Sequence, residues 1–381
     1  MVDAVGTVHI VKGAGLEDLI RAARETAGAA AVDYCLGGAG DESTVGRNTA
    51  AIDRLVFVPR VLRAPGEPDL SVRVTGGELA APLLVSPMGL QGLYHRGAEV
   101  ETARAAASLG LGHCLSAFSS AGPAEVAAGA GPGLRWRQVY VLRDWELTRH
   151  LVEQAEEGGF RAVVCTVDVP VVGRRDRDRA NGFDRFSVEP PAIVHSAAFK
   201  RLHRERGGDP RDVLDSVFPY PESTWDDVGR VIASTGLPVL VKGILHPDDA
   251  RRAHELGAAG VIVSNHGGRQ LDRCVSSIEA LPAVHRAVGD VIPVYFDSGV
   301  RTGTHVALAL ALGARAVLVG RPLLLALAAG GEEQVAARLE DMVSDLGHTM
   351  RLVGAASPAG LRRINVLGTG PGLGPEKGLC S

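Results

Sequence analysis

PVLVKGILHPDDARRAHELGAAGVIVS, residues 238–264, holds one full repeat of this protein's plan. Pro238 to Lys242 and Gly260 to Ser264 are short runs rich in Val, Leu and Ile without polar alternation, the pattern of strands covered on both faces. Between them Pro247 to Leu256 carries apolar residues at helical spacing, opened by a proline suited to a first turn. A buried strand, a helix and a second buried strand make a βαβ unit, which needs parallel strands. The unit recurs along the chain. Further strands are expected at Leu83 to Ser86, Gly112 to Ser116, Arg135 to Tyr140, Ala162 to Thr166, Pro293 to Asp297 and Ala316 to Gly320, alternating with helical patterns such as Val100 to Leu109, Leu147 to Glu157 and Thr304 to Leu312. Eight such repeats predict an α/β fold, a (β/α)8 TIM barrel. A doubly wound open sheet is the competing arrangement, but its Gly-x-Gly-x-x-Gly turn after an early strand is missing.

Outside the repeats the chain has three irregular parts. Val167 to Leu237 puts 71 residues between consecutive strands, against about 30 for an average barrel unit. This reads as a lid insertion over about 176–230, with Pro190-Pro191, Phe199, Phe218-Pro219-Tyr220-Pro221 and a basic run from Lys200 to Arg206. Ahead of the first strand, Leu16 to Ala30 predicts a helix, followed by Asp33-Tyr34 and the turn Gly37 to Gly40, an N-terminal cap on the barrel. From Ala356 the Gly- and Pro-rich composition predicts a mobile C-terminal tail over 356–381, leaving 1–355 as a single domain.

Composition narrows the function. With 40 Lys+Arg against 44 Asp+Glu and a net charge of −4, the chain lacks the basic excess that nucleic-acid binding needs. No run approaches the length of a membrane span, and Met1 to Gly15 lacks a signal-peptide pattern, so a cytoplasmic protein is expected. The five cysteines are scattered without a CxxC pair, which argues against a zinc cluster or disulfide framework; no metal site is expected.

In a barrel the chemistry lies where strands end at the C-terminal face. Those ends carry Ser86-Pro87, Ser116, Gln138 and Tyr140, Thr166 and Asp168, Lys242, Ser264 to His266, Asp297, and Gly320-Arg321. Strands seven and eight end in Asp297-Ser298-Gly299-Val300-Arg301 and Gly320-Arg321, pairing glycines with arginines where such barrels bind phosphate. Glycine lets backbone N–H groups approach the anion, and arginine adds a bidentate fork. Strand six ends in a histidine with an arginine three residues on, His266 and Arg269, a general base beside a carboxylate grip.

SNHGGRQLD at Ser264 to Asp272, with VKG at Val241, DSGVRTG at Asp297 and LVGRP at Leu318, resembles the FMN-dependent 2-hydroxy-acid oxidases and dehydrogenases, the family of glycolate, lactate and mandelate oxidases. The resemblance runs from about Leu16 to Gly354. It implies FMN as cofactor, His266 as base, Asp168 as the carboxylate that orients it, and Arg269 with Arg175 as the clamp on the substrate carboxylate, whereas Arg177 and Arg179 read as a solvated charge run. It implies Tyr34 and Tyr140 as substrate contacts and Lys242 beside the flavin. Ser116, Gln138, Thr166 and Ser264 match flavin or ribityl contacts, Asp297 the ribityl hydroxyls, and Gly299, Arg301, Gly320 and Arg321 the phosphate site.

Three departures stand out. Asp-Ser-Gly at Asp297 replaces the usual Asp-Gly-Gly, Pro87-Met88-Gly89 replaces Pro-Thr-Ala along the flavin wall, and Phe118 replaces a tryptophan of the substrate pocket. With Val172 where a larger side chain is common, Phe118 and Gly89 suggest an enlarged pocket and a large or aromatic (S)-2-hydroxy acid, oxidised to the 2-oxo acid with O2 as acceptor. Filling of that space by Phe183, Phe186 or Phe218 is the opposing possibility. The resemblance further implies a homotetramer. Rivals are a membrane-associated or other-acceptor dehydrogenase, a decarboxylating monooxygenase, a flavoprotein that has lost catalysis, and an FMN-dependent isomerase, which has no need of both arginines.

Overall fold

The computed structural model describes residues 15–63, 66–184 and 190–369. The eight expected runs form eight strands: β1 (Leu83–Val85), β2 (Gly112–Leu115), β3 (Arg135–Tyr140), β4 (Ala162–Thr166), β5 (Val239–Ile244), β6 (Gly260–Val263), β7 (Val294–Phe296) and β8 (Val317–Val319). All are parallel, and β8 pairs back onto β1 with Val317 opposite Leu83, so the sheet closes into a barrel.

Successive side chains of a strand point to opposite faces, and this sorts each strand into an inner and an outer set. Leu84, Cys114, Trp136, Val164, Leu240, Ile262, Tyr295 and Leu318 form a separate apolar core inside the barrel. Two residues further along each strand come Ser86, Ser116, Gln138, Thr166, Lys242, Ser264, Asp297 and Gly320. Strand periodicity thus lays a polar ring directly above an apolar plug. The floor is closed by a hairpin, Val72–Val74 with Gly77–Leu79. Its Thr75 accepts from Trp136 Nε1 through the backbone carbonyl at 3.0 Å and donates its N–H to the Tyr295 hydroxyl at 2.8 Å. Both rings are buried and meet edge to face, with centroids 5.1 Å apart, a geometry favoured by the ring quadrupoles.

The expected N-terminal helix is two. α1 (Leu16–Thr26) stops before Gly28, whose φ of 85° no helix accommodates, and α2 (Ala29–Leu36) carries Tyr34 on a rigid element rather than a loop. α3 (Ser43–Asp53) follows. The 71-residue segment is largely helical, with Asp176–Ala180, Ala197–Arg206, Pro210–Val217 and Trp225–Ala233, the last being the helix that leads into β5. Phe199, Leu202, Val213, Leu214 and Val217 bury the apolar stripes of the middle two. Phe186 lies outside the described residues.

The tail also differs from expectation. Pro358–Leu361 is helical, and Asn365–Gly368 pairs antiparallel with Leu55–Val58, so the folded chain extends past Ala356 through Thr369. A run that reads as loop by composition is recruited by a partner strand more than 300 residues away. Residues 370–381, with Cys380, are outside the described region. Among the described residues no helix is long and apolar enough to cross a membrane.

Candidate active site

Ser86, Ser116, Lys242, Asp297 and Gly320 of the polar ring, with the loops that follow the strands, line a cleft with about 1300 Å³ of empty space, counted to its open mouth. His266 ends up here through an unusual backbone. It leaves β6 with φ of 58°, and Gly267 and Gly268 follow at 67° and 77°. Three successive left-handed residues are sterically costly, and only the first carries a Cβ. Two hydroxyls hold the turn: His266 N donates to Ser264 Oγ at 3.1 Å and Gly267 N to Ser298 Oγ at 3.0 Å.

His266 Nδ1 lies 2.9 Å from Asp168 Oδ1. An ionised carboxylate only accepts, so Nδ1 carries the hydrogen and Nε2 is left as the proton acceptor. Burial alone would raise the Asp168 pKa, but the charges of His266 and Lys242 outweigh it and hold the carboxyl below its ordinary value. Room for Asp168 comes from Gly243, at φ 108°, where a Cβ would sit 2.6 Å from that of Asp168. The register of β5 and β6 slips at this glycine, between Lys242 and Ile244.

Lys242 is buried, donates to Ser264 Oγ at 2.9 Å and stands 3.2 Å from Asp297 Oδ2. Burial favours the neutral amine, yet the carboxylates of Asp297 and Asp168 prevail and keep its pKa above the ordinary lysine value. The site therefore holds a fixed ammonium at its centre.

Arg175 and Arg269, 94 positions apart, meet at one ring. Their guanidinium carbons lie 5.7 and 4.8 Å from the centroid of Tyr34, within cation–π range. Arg269 also donates through Nη1 to the carbonyls of Tyr34 at 2.7 Å and Gly37 at 2.8 Å, so it fastens the end of α2 to the barrel. Arg177 does more than the solvated run predicted for it: it pairs with Glu42 Oε2 at 2.5 Å and joins the insertion to the cap. Arg179, 70% exposed, remains at the surface.

At the ends of β7 and β8, Arg321 donates to the carbonyls of Cys35, Gly37 and Gly267. Burial, with repulsion from Arg269 and Arg301, drives its pKa down to about 9. Burial likewise lowers that of Arg301. Among the described residues, neither guanidinium has a carboxylate within ion-pairing distance. Such crowding of cations is costly until an anion neutralises it. A Cβ on Gly320 would project toward Met88 Sδ at 3.5 Å and Ser86 Cβ at 3.7 Å, into the cleft, so the missing side chain leaves room there. The helix beginning at Arg321 aims its N-terminus at the same place. These residues fit the phosphate of FMN.

Not every expected contact lies on the cleft wall. Tyr34, Pro87, Met88, Gly89, Ser116, Phe118, Tyr140, Val172, Arg175, Lys242, His266, Arg269, Asp297, Gly299, Arg301, Gly320 and Arg321 line it. Gln138, Thr166, Ser264 and Asp168 lie behind that wall. Gln138 Oε1 accepts from Ala117 N at 2.9 Å and its Nε2 donates to Val139 O, so its amide serves the β2 loop.

Gly89 does not enlarge the pocket as its lack of Cβ suggested. A Cβ there would meet Phe118 O at 2.8 Å, so the glycine permits two loops to touch, fixed by Leu90 N donating to Phe118 O at 2.9 Å. Part of the space beside Phe118 is taken by Phe218 from the insertion, whose ring lies 4.8 Å from Phe118 and 4.5 Å from Tyr140.

Two groups escaped the sequence reading. Gln270 donates to the carbonyls of Asp168 and Val171 and accepts from Gly173 N, pinning the segment that carries Asp168 and Arg175. Asn48 and Asn265 exchange amide hydrogen bonds at 2.9 and 2.7 Å, tying α3 to the β6 loop. Position just after a strand end signals Asn265, and Gln270 follows in the same loop; nothing local signals Asn48. Among the described residues no cluster of three or more His, Cys, Asp or Glu could hold a metal.

The chain is similar to known proteins. The sequence model of the family described as FMN-dependent dehydrogenase matches residues 23–367. The chain is 40% identical over 353 residues to a 4-hydroxymandelate oxidase of Amycolatopsis orientalis, covering 92% of this chain and 97% of that one. It is 42% identical over 336 residues to an L-lactate oxidase of Nostoc sp., covering 86% and 90%. A mandelate oxidase variant solved with an FMN adduct superposes with a TM-score of 0.83 at 39% identity, covering 92% of this chain and 99% of that one.

Proposed function

Because the chain belongs to the FMN-dependent dehydrogenase family, we propose that it oxidises a large or aromatic (S)-2-hydroxy acid to the 2-oxo acid, passing the electrons to O2. The observation that carries this is the meeting of Arg175 and Arg269 at Tyr34 in the cleft where His266 is held by Asp168. An isomerase has no use for two guanidinium groups aimed at one carboxylate.

Arg301, Arg321, Gly299 and Gly320 would hold the phosphate of FMN, with Asp297 toward the ribityl chain and Lys242 toward the ring. Bound FMN supplies the two-electron acceptor. The remaining work belongs to side chains. Arg175 and Arg269 fix the carboxylate and exclude neutral alcohols, and Tyr34 and Tyr140 orient the carboxylate and hydroxyl. His266 takes a proton on Nε2 while Asp168 stabilises the imidazolium so formed. Lys242, held charged by its two carboxylates, favours negative charge arriving beside it.

Preference for an aryl side chain is supported by the apolar wall of Phe118, Val172 and Phe218 and by the substrates named for several relatives. An aromatic ring on this wall gains about 0.5–1.5 kcal/mol beyond its area burial. A 2-hydroxy-acid panel mixed anaerobically with the yellow protein tests both parts. Bleaching by mandelate at a kcat/KM at least about tenfold above lactate and glycolate is expected. A preference for glycolate or lactate refutes the size argument, and no bleaching by any acid refutes the reaction.

A homotetramer is part of the same proposal. Val56 and Leu367, paired across the terminal ribbon, are 41% and 40% exposed, and Val61 and Leu62 beside them are almost fully so. An apolar surface of this kind suits a subunit contact; light scattering on the purified protein measures it. The four described cysteines are unpaired, which suits the reducing cytoplasm.

A further inference from the structure

Ser298 stands where a glycine belongs. Its φ of 82° lies in the left-handed region, which disfavours any residue with a Cβ. The hydroxyl explains what the serine does there. It accepts from Gly267 N at 3.0 Å and donates to Asp297 Oδ1 at 2.8 Å. Because Gly267 N–H can only donate, the hydroxyl hydrogen is directed to the carboxylate.

These two bonds close a ring. Asp297 Oδ2 faces Lys242 Nζ at 3.2 Å, Lys242 donates to Ser264 Oγ at 2.9 Å, and Ser264 accepts from His266 N at 3.1 Å. His266 and Gly267 are neighbours in the chain, so the circuit returns to its start. It joins the backbone of the base to the buried ammonium through Asp297, and Ser298 is the link between them.

We propose that Ser298 is a positioning residue: its hydroxyl holds the His266–Gly267 turn in place and draws Asp297 partly away from Lys242, leaving more of the ammonium's charge directed into the cleft. A carboxylate whose other oxygen is engaged by a second donor neutralises the first less completely. Without the hydroxyl, Asp297 turns its full charge on Lys242, bound FMN becomes harder to reduce, and Gly267 N–H loses its acceptor. The clamp is not touched, so substrate affinity is unaffected. This inference rests on the reading of the site as an FMN-dependent 2-hydroxy-acid oxidase.

The test compares the holoprotein with Ser298→Gly and Ser298→Ala. Glycine relieves the left-handed strain and removes the hydroxyl; alanine keeps the strain and removes the hydroxyl. Both variants are expected to retain FMN, to reduce it about tenfold more slowly at saturating substrate, the effect of one hydrogen bond to a charged group, and to leave KM unchanged. Both should lower the midpoint potential of the bound FMN and speed amide hydrogen exchange in the peptide spanning 264–270. Ser298→Gly with wild-type reduction rate and potential overturns the proposal. Impairment of Ser298→Ala alone also overturns it, since strain rather than the hydroxyl then accounts for the effect. Failure of the wild type to bleach with any 2-hydroxy acid is failure of the functional reading, and is separate: the potential and the exchange rates still report on Ser298.

Discussion

Replacing Asp168 with asparagine removes one charge and almost no volume, at a residue whose Oδ1 is 2.9 Å from His266 Nδ1. The imidazolium formed when His266 accepts a proton then loses its nearest counter-charge. Two unit charges about 4 Å apart attract by about 4 kcal/mol at an effective dielectric constant near 20. Lys242 adds to this loss, because its ammonium shares the Asp168 carboxylate and its repulsion of the imidazolium is left unbalanced in Asp168→Asn. The amide can moreover donate to Nδ1 and so enforce the wrong tautomer, with Nε2 protonated. A decrease of about 10²- to 10³-fold in the rate of flavin reduction follows, equivalent to about 2.7–4 kcal/mol. FMN content should be unchanged, because Asp168 does not line the cleft. Stopped-flow reduction under anaerobic conditions, at saturating substrate, measures it. A rate within about threefold of wild type, less than 1 kcal/mol, would show that Asp168 orients nothing, and the assignment of Nε2 as proton acceptor would fall with it.

Three further outcomes are expected. Phe218→Ala removes a ring packed 4.8 Å from Phe118 and 4.5 Å from Tyr140; the kcat/KM ratio of mandelate to lactate should fall about tenfold, and an unchanged ratio in steady-state assays would place the aryl group elsewhere. Gly299→Ala puts a Cβ 2.5 Å from the Asn48 carbonyl at φ +87°, so the loop must shift, and FMN affinity by fluorescence titration should weaken at least about tenfold; wild-type affinity would refute that loop as part of the phosphate site. Glu279 concerns acid stability. Burial opposes its ionisation, but hydrogen bonds from Arg47 and Ser276 prevail and bring its pKa down to about 2. A depressed carboxyl stabilises the fold above its unfolded pKa near 4.3, and that contribution disappears as pH falls toward the folded value. Glu279→Gln should thus lower Tm at pH 7 and leave the difference from wild type progressively smaller between about pH 4.5 and 2; a constant difference in thermal melts would mean the carboxylate contributes nothing through its charge.

The barrel was readable from residues 238–264 and their repeats because strand periodicity is local. Eight both-face-buried runs separated by helices pointed to the closed barrel, and Lys242, Ser264 and Asp297 were legible as the residues that finish strands at its C-terminal face. His266, Arg269, Arg301 and Arg321 were legible for the same reason, since each follows a strand end. Segments with no period of their own were not. The insertion after Thr166 reads as loop, yet the apolar residues of Ala197–Arg206 and Pro210–Val217 find cover against the barrel and fold as helices. Asn365–Gly368 becomes a strand only because Leu55–Val58 supplies its hydrogen bonds.

Pocket size was least determinable of all. Gly89 and Phe118 both read as lost volume, but a missing side chain makes a void only if nothing else moves into it. The Phe118 carbonyl closes on Gly89, and Phe218 arrives from 100 residues away to pack on Phe118. Residue type and strand position, which act over a few residues, carried the chemistry of the site. Its shape, the pinning of Asp168 by Gln270 and the ring through Ser298 depend on which distant surfaces pack together, and only the folded chain decides that.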